Sequence, residues 1–258
     1  MGSVTDLFDL SGKVALVTGG SRGLGLQMAE ALGEMGAKIA ITARKQGELD
    51  EAAAHLGQRR IETLTIAGDL AKPETVPKVV DDVVKRFGTI DILVNNAGTT
   101  WGAPAEDYPQ EAWRKVMSLN IDAVFFLSQE VGKRCMIPRG SGKIINIASV
   151  AGLRANPPEM ATIAYNTSKA AAIHFTRALA AEWGRFGINV NVLCPGFFPS
   201  KMSKGLLEKI EKVVVARTPL HRLGGDEDLK GAIVFLASEA SRHITGQYLA
   251  IDGGSSVV

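Results

Sequence analysis

The run Lys13-Val14-Ala15-Leu16-Val17-Thr18 is followed at once by Gly19-Gly20-Ser21-Arg22-Gly23-Leu24-Gly25, then by a helical stretch from Leu26 to Met35. This order limits the possible folds more than any other stretch. An apolar run without polar alternation reads as a strand buried on both faces, the kind found in parallel sheets covered by helices. The glycines allow a tight turn and let a ligand approach backbone N–H groups, and the helix start adds partial positive charge. Strand, turn and helix together make a cradle for phosphate. The spacing is Gly-x-x-x-Gly-x-Gly, with Gly19, Gly23 and Gly25 at the fixed places. Its first gap is one residue longer than in the usual dinucleotide fingerprint.

The same alternation recurs along the chain. Strands are expected at Lys38–Thr42, Ile61–Ile66, Ile90–Val94, Lys143–Ile147, Ile188–Leu193 and Gln247–Ile251. Helices are expected at Glu48–Leu56, Pro73–Phe87, Pro109–Met136, Ile163–Phe186 and Asp226–Ser238, and the stretch Phe197–Thr218 reads as a mobile segment with helical parts. Strands alternating with helices predict an α/β fold: one doubly wound, Rossmann-type domain whose mostly parallel seven-stranded sheet is flanked by helices. Residues 1–12 form an N-terminal arm in this reading, and residues 197–218 a lid on the substrate side. No linker, repeat or low-complexity run divides the 258 residues.

Composition excludes several functions. Net charge is +2 with acids and bases interleaved, so no basic stripe points to nucleic acid. No apolar run approaches a membrane span, and Met1–Asp9 carries acids instead of the apolar core of a secretory leader. Cys135 and Cys194 are far apart and have no His or Cys at ligand spacing, so they read as reduced packing residues, with neither disulfide nor metal expected. A cytoplasmic protein follows.

In open α/β sheets, ligands bind outside the carboxyl ends of the strands. The second strand ends at Ala43-Arg44-Lys45, where a carboxylate would normally meet the ribose 2′-hydroxyl of NAD. Here that acid is missing, and Arg44, Lys45 and Arg22 favour the 2′-phosphate of NADP(H). Arg44 and Lys45 could instead only cap a strand end. Asp69 follows the third strand and either meets a ligand or caps the next helix. Asn95-Asn96-Ala97-Gly98 follows the fourth; it suits a turn that touches a ligand, and a plain turn would look the same. Ser149 follows the fifth. Asn120 sits among Leu119, Ile121, Val124 and Phe125, and an Asn inside a helix calls for a hydrogen-bonding reason. Tyr165 and Lys169 lie four apart at a helix start and share a face. An ammonium beside a phenol favours the phenolate, which would let Tyr165 exchange protons near neutral pH. Taken alone, the pair could equally be two residues on a solvated face.

Thr18-Gly19-x-x-x-Gly23-x-Gly25, Asn95-Asn96-Ala97-Gly98, Asn120, Ser149, Tyr165-x-x-x-Lys169 and Pro195-Gly196 occur in this order over nearly the whole chain. Jointly they resemble the short-chain dehydrogenase/reductase family, in its branch of about 250 residues. The resemblance implies an NADP(H)-dependent oxidoreductase acting on a small carbonyl or alcohol substrate. Tyr165 would be the general acid/base, and Ser149 would polarise the substrate carbonyl. Lys169 would hold the nicotinamide ribose and depress the pKa of Tyr165. Asn120 would hold a water linking Lys169 to solvent. Gly19, Ser21, Arg22, Gly23, Leu24 and Gly25 would line the cofactor, along with Arg44, Asp69, Leu70, Asn96, Ala97, Gly98, Pro195, Gly196 and Ser200. Asp69 would approach the adenine, Asn96 the adenosine ribose, and Ser200 the nicotinamide amide or the diphosphate. Hydride would leave C4 of the nicotinamide as Tyr165 protonates the oxygen.

Within the family the chain resembles 3-oxoacyl-(acyl carrier protein) reductases and gluconate 5-dehydrogenase-like members. Reduction of a ketone or 3-oxoacyl group is the first expectation, oxidation of a sugar acid or polyol the second, and a non-catalytic NADP-binding sensor the third. Two departures bear on the choice. Ala155–Met160 reads as a small insertion between Ser149 and Tyr165, shaping the substrate pocket. Ala181-Glu182 stands where carrier-protein reductases tend to present an Arg beside the Glu, although Lys133, Arg134 and Arg139 could supply positive charge. Trp101, Phe197, Phe198 and Met202 suggest a partly apolar pocket, or else core or interface residues. The walls are expected from Trp101–Tyr108, the insertion and Phe197–Thr218. The two longest helices should pack against a second subunit, giving a homotetramer or homodimer.

Overall fold

In the computed structural model, which describes residues 3–201 and 204–258, β1 (Val14–Thr18) is buried along its whole length. Its side chains feed two separate cores. Ala15 and Val17 pack on one side with Met28 and Leu32 of α1 (Gly23–Glu34), Leu49 and Leu56 of α2 (Gln46–Gln58) and Ile233 of α9 (Lys230–Ala237). Val14 and Leu16 pack on the other with Val79 and Val83 of α3 (Val76–Phe87), Leu127 of α5 (Ala123–Val131) and Leu179 of α7 (Ile163–Trp183). Helices on both faces are why the strand needs no polar alternation.

β2 (Lys38–Ala43), β3 (Thr63–Ala67), β4 (Ile92–Asn95), β5 (Gly142–Ile147), β6 (Ile188–Pro195) and β7 (Tyr248–Ile251) complete one sheet, in the order β3-β2-β1-β4-β5-β6-β7. Every pairing is parallel, so the sheet is wholly, and not just mostly, parallel. The chain leaves β1 toward β2 on one side and returns to β4 on the other. That reversal opens a crevice beyond the carboxyl ends of β1 and β4.

Several boundaries differ from expectation. The long helical stretch continues to Arg139 and contains two wider π turns: α4 (Gln110–Met117), a π turn at Ser118–Asp122, α5, a π turn at Gly132–Met136, and α6 (Ile137–Arg139). α9 starts four residues later than expected. Asp228 accepts from both Arg222 guanidinium N–H groups at 2.5 and 2.8 Å and from the Gly225 N–H at 2.7 Å, which holds residues 226–229 in turns. The segment after β6 contains α8 (Lys204–Arg217). The N-terminal arm is anchored by the buried Leu10 in the α1 core, and Phe8 packs beside it. Among the described residues no helix is long and apolar enough to cross a membrane.

Candidate active site

A cavity of about 730 Å³ fills the crevice. Every residue expected to bind cofactor lines it, from Gly19 through Ser200, as do Ser149, Tyr165 and Lys169. Asn120 does not line it; it is buried behind.

The Gly-rich turn is fixed from below by β4. Thr18 Oγ1 accepts from the backbone N–H groups of Asn96 and Ala97, both at 2.9 Å, and donates to Val94 O at 3.3 Å. Asn96 Nδ2 donates back to Thr18 O at 2.9 Å and Gly19 O at 3.3 Å. Through its Nδ2 Asn96 holds the turn, while the residue also lines the cavity where it is expected to meet the adenosine ribose. Thr18 was not singled out as a site residue, because its role depends on where β4 ends. Gly19 and Gly23 have φ of +65° and +53°, and a methyl carbon added at Gly25 would lie 2.2 Å from Gly19 O. A side chain at Gly25 would collide with the backbone of the turn and with the Asn96 amide, and so distort the cradle that a diphosphate needs.

Further out, Arg22, Arg44, Lys45, Asp69 and Leu70 line the cavity along the ends of β2 and β3. Asp69 Oδ1 accepts from the Ala71 N–H at 3.2 Å in a local turn, and does not cap the helix after it. The buried Thr42 hydroxyl, at the end of β2, also lines this part and has no hydrogen-bond partner among the described residues. A glycine cradle, a row of cations and an orphaned hydroxyl fit a phosphorylated dinucleotide along the strand ends.

The proton-transfer end is built from β5 and α7. Ser149 ends the extended segment after β5, and its Oγ accepts from the Ala151 N–H at 3.1 Å, which leaves its own hydrogen to donate. Tyr165 is on the first turn of α7 and Lys169 follows one turn on, its Nζ 5.6 Å from the Tyr165 ring centroid. The expected depression of the Tyr165 pKa by Lys169 is not found. Burial raises the phenol above its ordinary value, the Ser149 hydroxyl opposes the rise, and the ammonium, lying over the ring, donates to Ile147 O at 2.7 Å. Burial also pushes Lys169 down to about 8, with Cys194 acting weakly the other way. Low polarity outweighs the charge pair here.

Asn120 sits in the first π turn, and its amide explains its place there. Oδ1 accepts from the Thr99 N–H at 2.9 Å, and Nδ2 donates to Thr99 O at 3.0 Å and Ser168 Oγ at 2.9 Å. The side chain thus clamps the loop after β4 to α7. Both ends of the amide are engaged, so its geometry is that of a positioning group.

Thr99, Thr100 and Gly102 of one loop and Asn156, Met160 and Thr162 of another line the same cavity as Tyr165. The two loops are joined by the Ala103 N–H, which donates to Ala161 O at 2.9 Å. Asn156 Nδ2 donates to Thr162 Oγ1 at 3.1 Å and Asn166 Oδ1 at 3.0 Å, tying the inserted loop to the residue after Tyr165. Asn156, Thr99, Thr100 and Thr162 were not read from the sequence individually, since loop residues carry no periodicity. Of the aromatic candidates, Phe197 and Phe198 line the cavity, with Phe198 also packed in the α1 core, whereas Trp101 is exposed outside it. Met202 lies outside the described residues. No group of metal-ligating side chains occurs among the described residues.

The family model described as enoyl-(acyl carrier protein) reductase matches residues 19–256. A gluconate 5-dehydrogenase of Gluconobacter oxydans is 41% identical over 98% of this chain and 98% of its own. A 3-oxoacyl-[acyl-carrier-protein] reductase of Vibrio cholerae is 36% identical over 97% of this chain and 100% of its own. Among solved structures, a gluconate 5-dehydrogenase from Burkholderia cenocepacia in complex with NADP and tartrate superposes with a TM-score of 0.93 at 37% identity, covering 99% of this chain and 100% of that one.

Proposed function

The chain belongs to the short-chain dehydrogenase/reductase family, and from that premise we propose that it interconverts a ketone and a secondary alcohol with NADP(H), on a small polyhydroxylated substrate of the sugar-acid or polyol class. The observation that carries the chemistry is Tyr165, Ser149 and Lys169 in one cavity with the Gly-rich cradle. When bound, the dinucleotide gives or takes the hydride. Tyr165 donates its phenolic proton to the substrate oxygen in reduction and takes it back in oxidation. Ser149, whose hydroxyl hydrogen remains to donate, polarises the same oxygen. Lys169 contributes positive charge beside the phenol and the ribose hydroxyls, and Asn120 positions the loop and helix that flank them.

Thr99 and Thr100 favour the polyhydroxylated substrate over the ketone or 3-oxoacyl reading that the sequence placed first. Their hydroxyls suit a substrate with several hydroxyl groups, and an acyl chain would leave them unpaired, while Asn156 and Thr162 already bond each other and Asn166. Phe197, Phe198 and Met160 keep reduction of a simple ketone or 3-oxoacyl thioester as the second reading. A non-catalytic sensor would need neither Tyr165 nor Lys169, and both are in place. Exposed Trp113, Phe125 and Phe126 on α4 and α5 support assembly through that face into a homodimer or homotetramer. A cytosolic setting is part of the same proposal, supported by two buried free cysteines.

The test is NADPH consumption by the purified protein with 5-ketogluconate, other keto-sugars, simple ketones and 3-oxoacyl thioesters. Highest kcat/KM with a polyhydroxylated carbonyl is expected. A preference for 3-oxoacyl thioesters would transfer the assignment to the second reading.

A further inference from the structure

The sequence puts no acid at the end of β2, yet the fold brings one there. Glu48, on the first turn of α2, lines the cofactor cavity beside Arg22, Arg44, Lys45 and Lys201. Three of these cations converge on a single atom, Glu48 Oε1: Arg22 Nη1 at 2.6 Å, Lys45 Nζ at 3.5 Å and Lys201 Nζ at 3.8 Å. They come from three segments: the Gly-rich turn, the junction of β2 with α2, and the stretch after β6. Partial burial pushes the Glu48 carboxyl up, but Arg22, Lys45 and Lys201 outweigh it and hold the group below its ordinary range. At neutral pH it is an anion sitting among the groups that would receive a 2′-phosphate. Arg44 makes no ion pair among the described residues and stays available to a ligand.

We propose that Glu48 is a specificity-determining residue of the adenosine site: an internal counter-ion that competes with the 2′-phosphate of NADP(H) for Arg22 and Lys45, and an acceptor for the 2′-hydroxyl of NAD(H). The inference rests on the dinucleotide reading given above. A 2′-phosphate carries close to two negative charges and outcompetes one carboxylate for the guanidinium. Displacing Glu48 is feasible because half-exposed ion pairs are weak. The carboxylate then remains near the phosphate, which lowers the affinity for NADP(H). With NAD(H) the existing Arg22–Glu48 pair is kept and gains a hydroxyl donor. The chain therefore accepts both dinucleotides, with Arg44 keeping NADP(H) ahead.

The experiment is calorimetric titration of the full-length wild type, Glu48→Gln and Glu48→Ala with NADP⁺ and with NAD⁺, with thermal unfolding as the check on folding. The expected result is NADP⁺ bound about 3- to 10-fold more tightly and NAD⁺ about 3-fold more weakly in both variants, so that the affinity ratio rises roughly tenfold or more. An unchanged ratio with both ligands still binding overturns the inference and leaves the dinucleotide reading standing. Weaker NADP⁺ binding in both variants also overturns it, since Glu48 would then serve only to orient Arg22. Failure of the wild type to bind either dinucleotide overturns the underlying reading, and the inference with it.

Discussion

The two ends of the cleft are built differently. At the cofactor end, the turn after β1 is held by hydrogen bonds between adjacent parallel strands, with Thr18 and Asn96 pinning each other at about 3 Å. At the substrate end, both walls are loops, joined by one backbone bond from Ala103 to Ala161 and by the amide of Asn156. The first end is fixed by sheet register and the second by side chains on loops. Chemistry that must stay constant is therefore set on strand ends, and recognition that can vary is carried by the connections.

The largest effect should follow a change at the rigid end. Gly25→Ala places a carbon against Gly19 O, where only backbone can yield. Dinucleotide affinity should fall at least ~100-fold, and stability by roughly 1–3 kcal/mol. Retained tight binding, measured by calorimetry, would mean that the turn is as adaptable as the loops. At the other end, Asn156→Ala should raise KM for the substrate about 3- to 10-fold, with kcat changed less than about 2-fold and NADP⁺ affinity unchanged. A matching loss in NADP⁺ affinity would break the division between the two ends.

The smallest effect concerns Lys169, which lies between them. Its pKa falls from 10.5 in the unfolded chain to about 8 in the fold. Between those values the unfolded state binds more protons, so this group makes stability rise with pH from about 8 to 10.5, while below about 8 both forms are protonated and it adds no slope. The rise should be on the order of 1–3 kcal/mol and should be absent in Lys169→Met. Equal pH slopes for the two proteins in urea unfolding would show that Lys169 keeps an ordinary pKa.

The strands were legible because buried parallel strands are uninterrupted apolar runs, and residues placed at their carboxyl ends, such as Ser149, Arg44 and Asp69, fell into the cavity as the topology requires. What the sequence hid depends on contacts between distant segments. That Asn96 also braces the Gly-rich turn shows only once β4 is paired with β1 and its amide is seen on Gly19 O. Asn120 reads as a misplaced polar residue until the π turn presents it to Thr99 and Ser168. Glu48 reads as an ordinary helix acid until the phase of α2 aims it at Arg22. The Tyr165–Lys169 spacing was readable, but its electrostatics were not, because burial dominates both groups and the Ser149 hydroxyl acts on the phenol.

In the proposed mechanism Tyr165 passes the proton in a cleft that binds NADP(H) independently of it. Tyr165→Phe, assayed side by side for NADPH affinity and for NADPH consumption with the best carbonyl of the panel, tests this most directly. NADPH should bind within about 3-fold of wild type while kcat falls about 10²- to 10⁴-fold. Turnover close to wild type in the Phe variant would contradict the account.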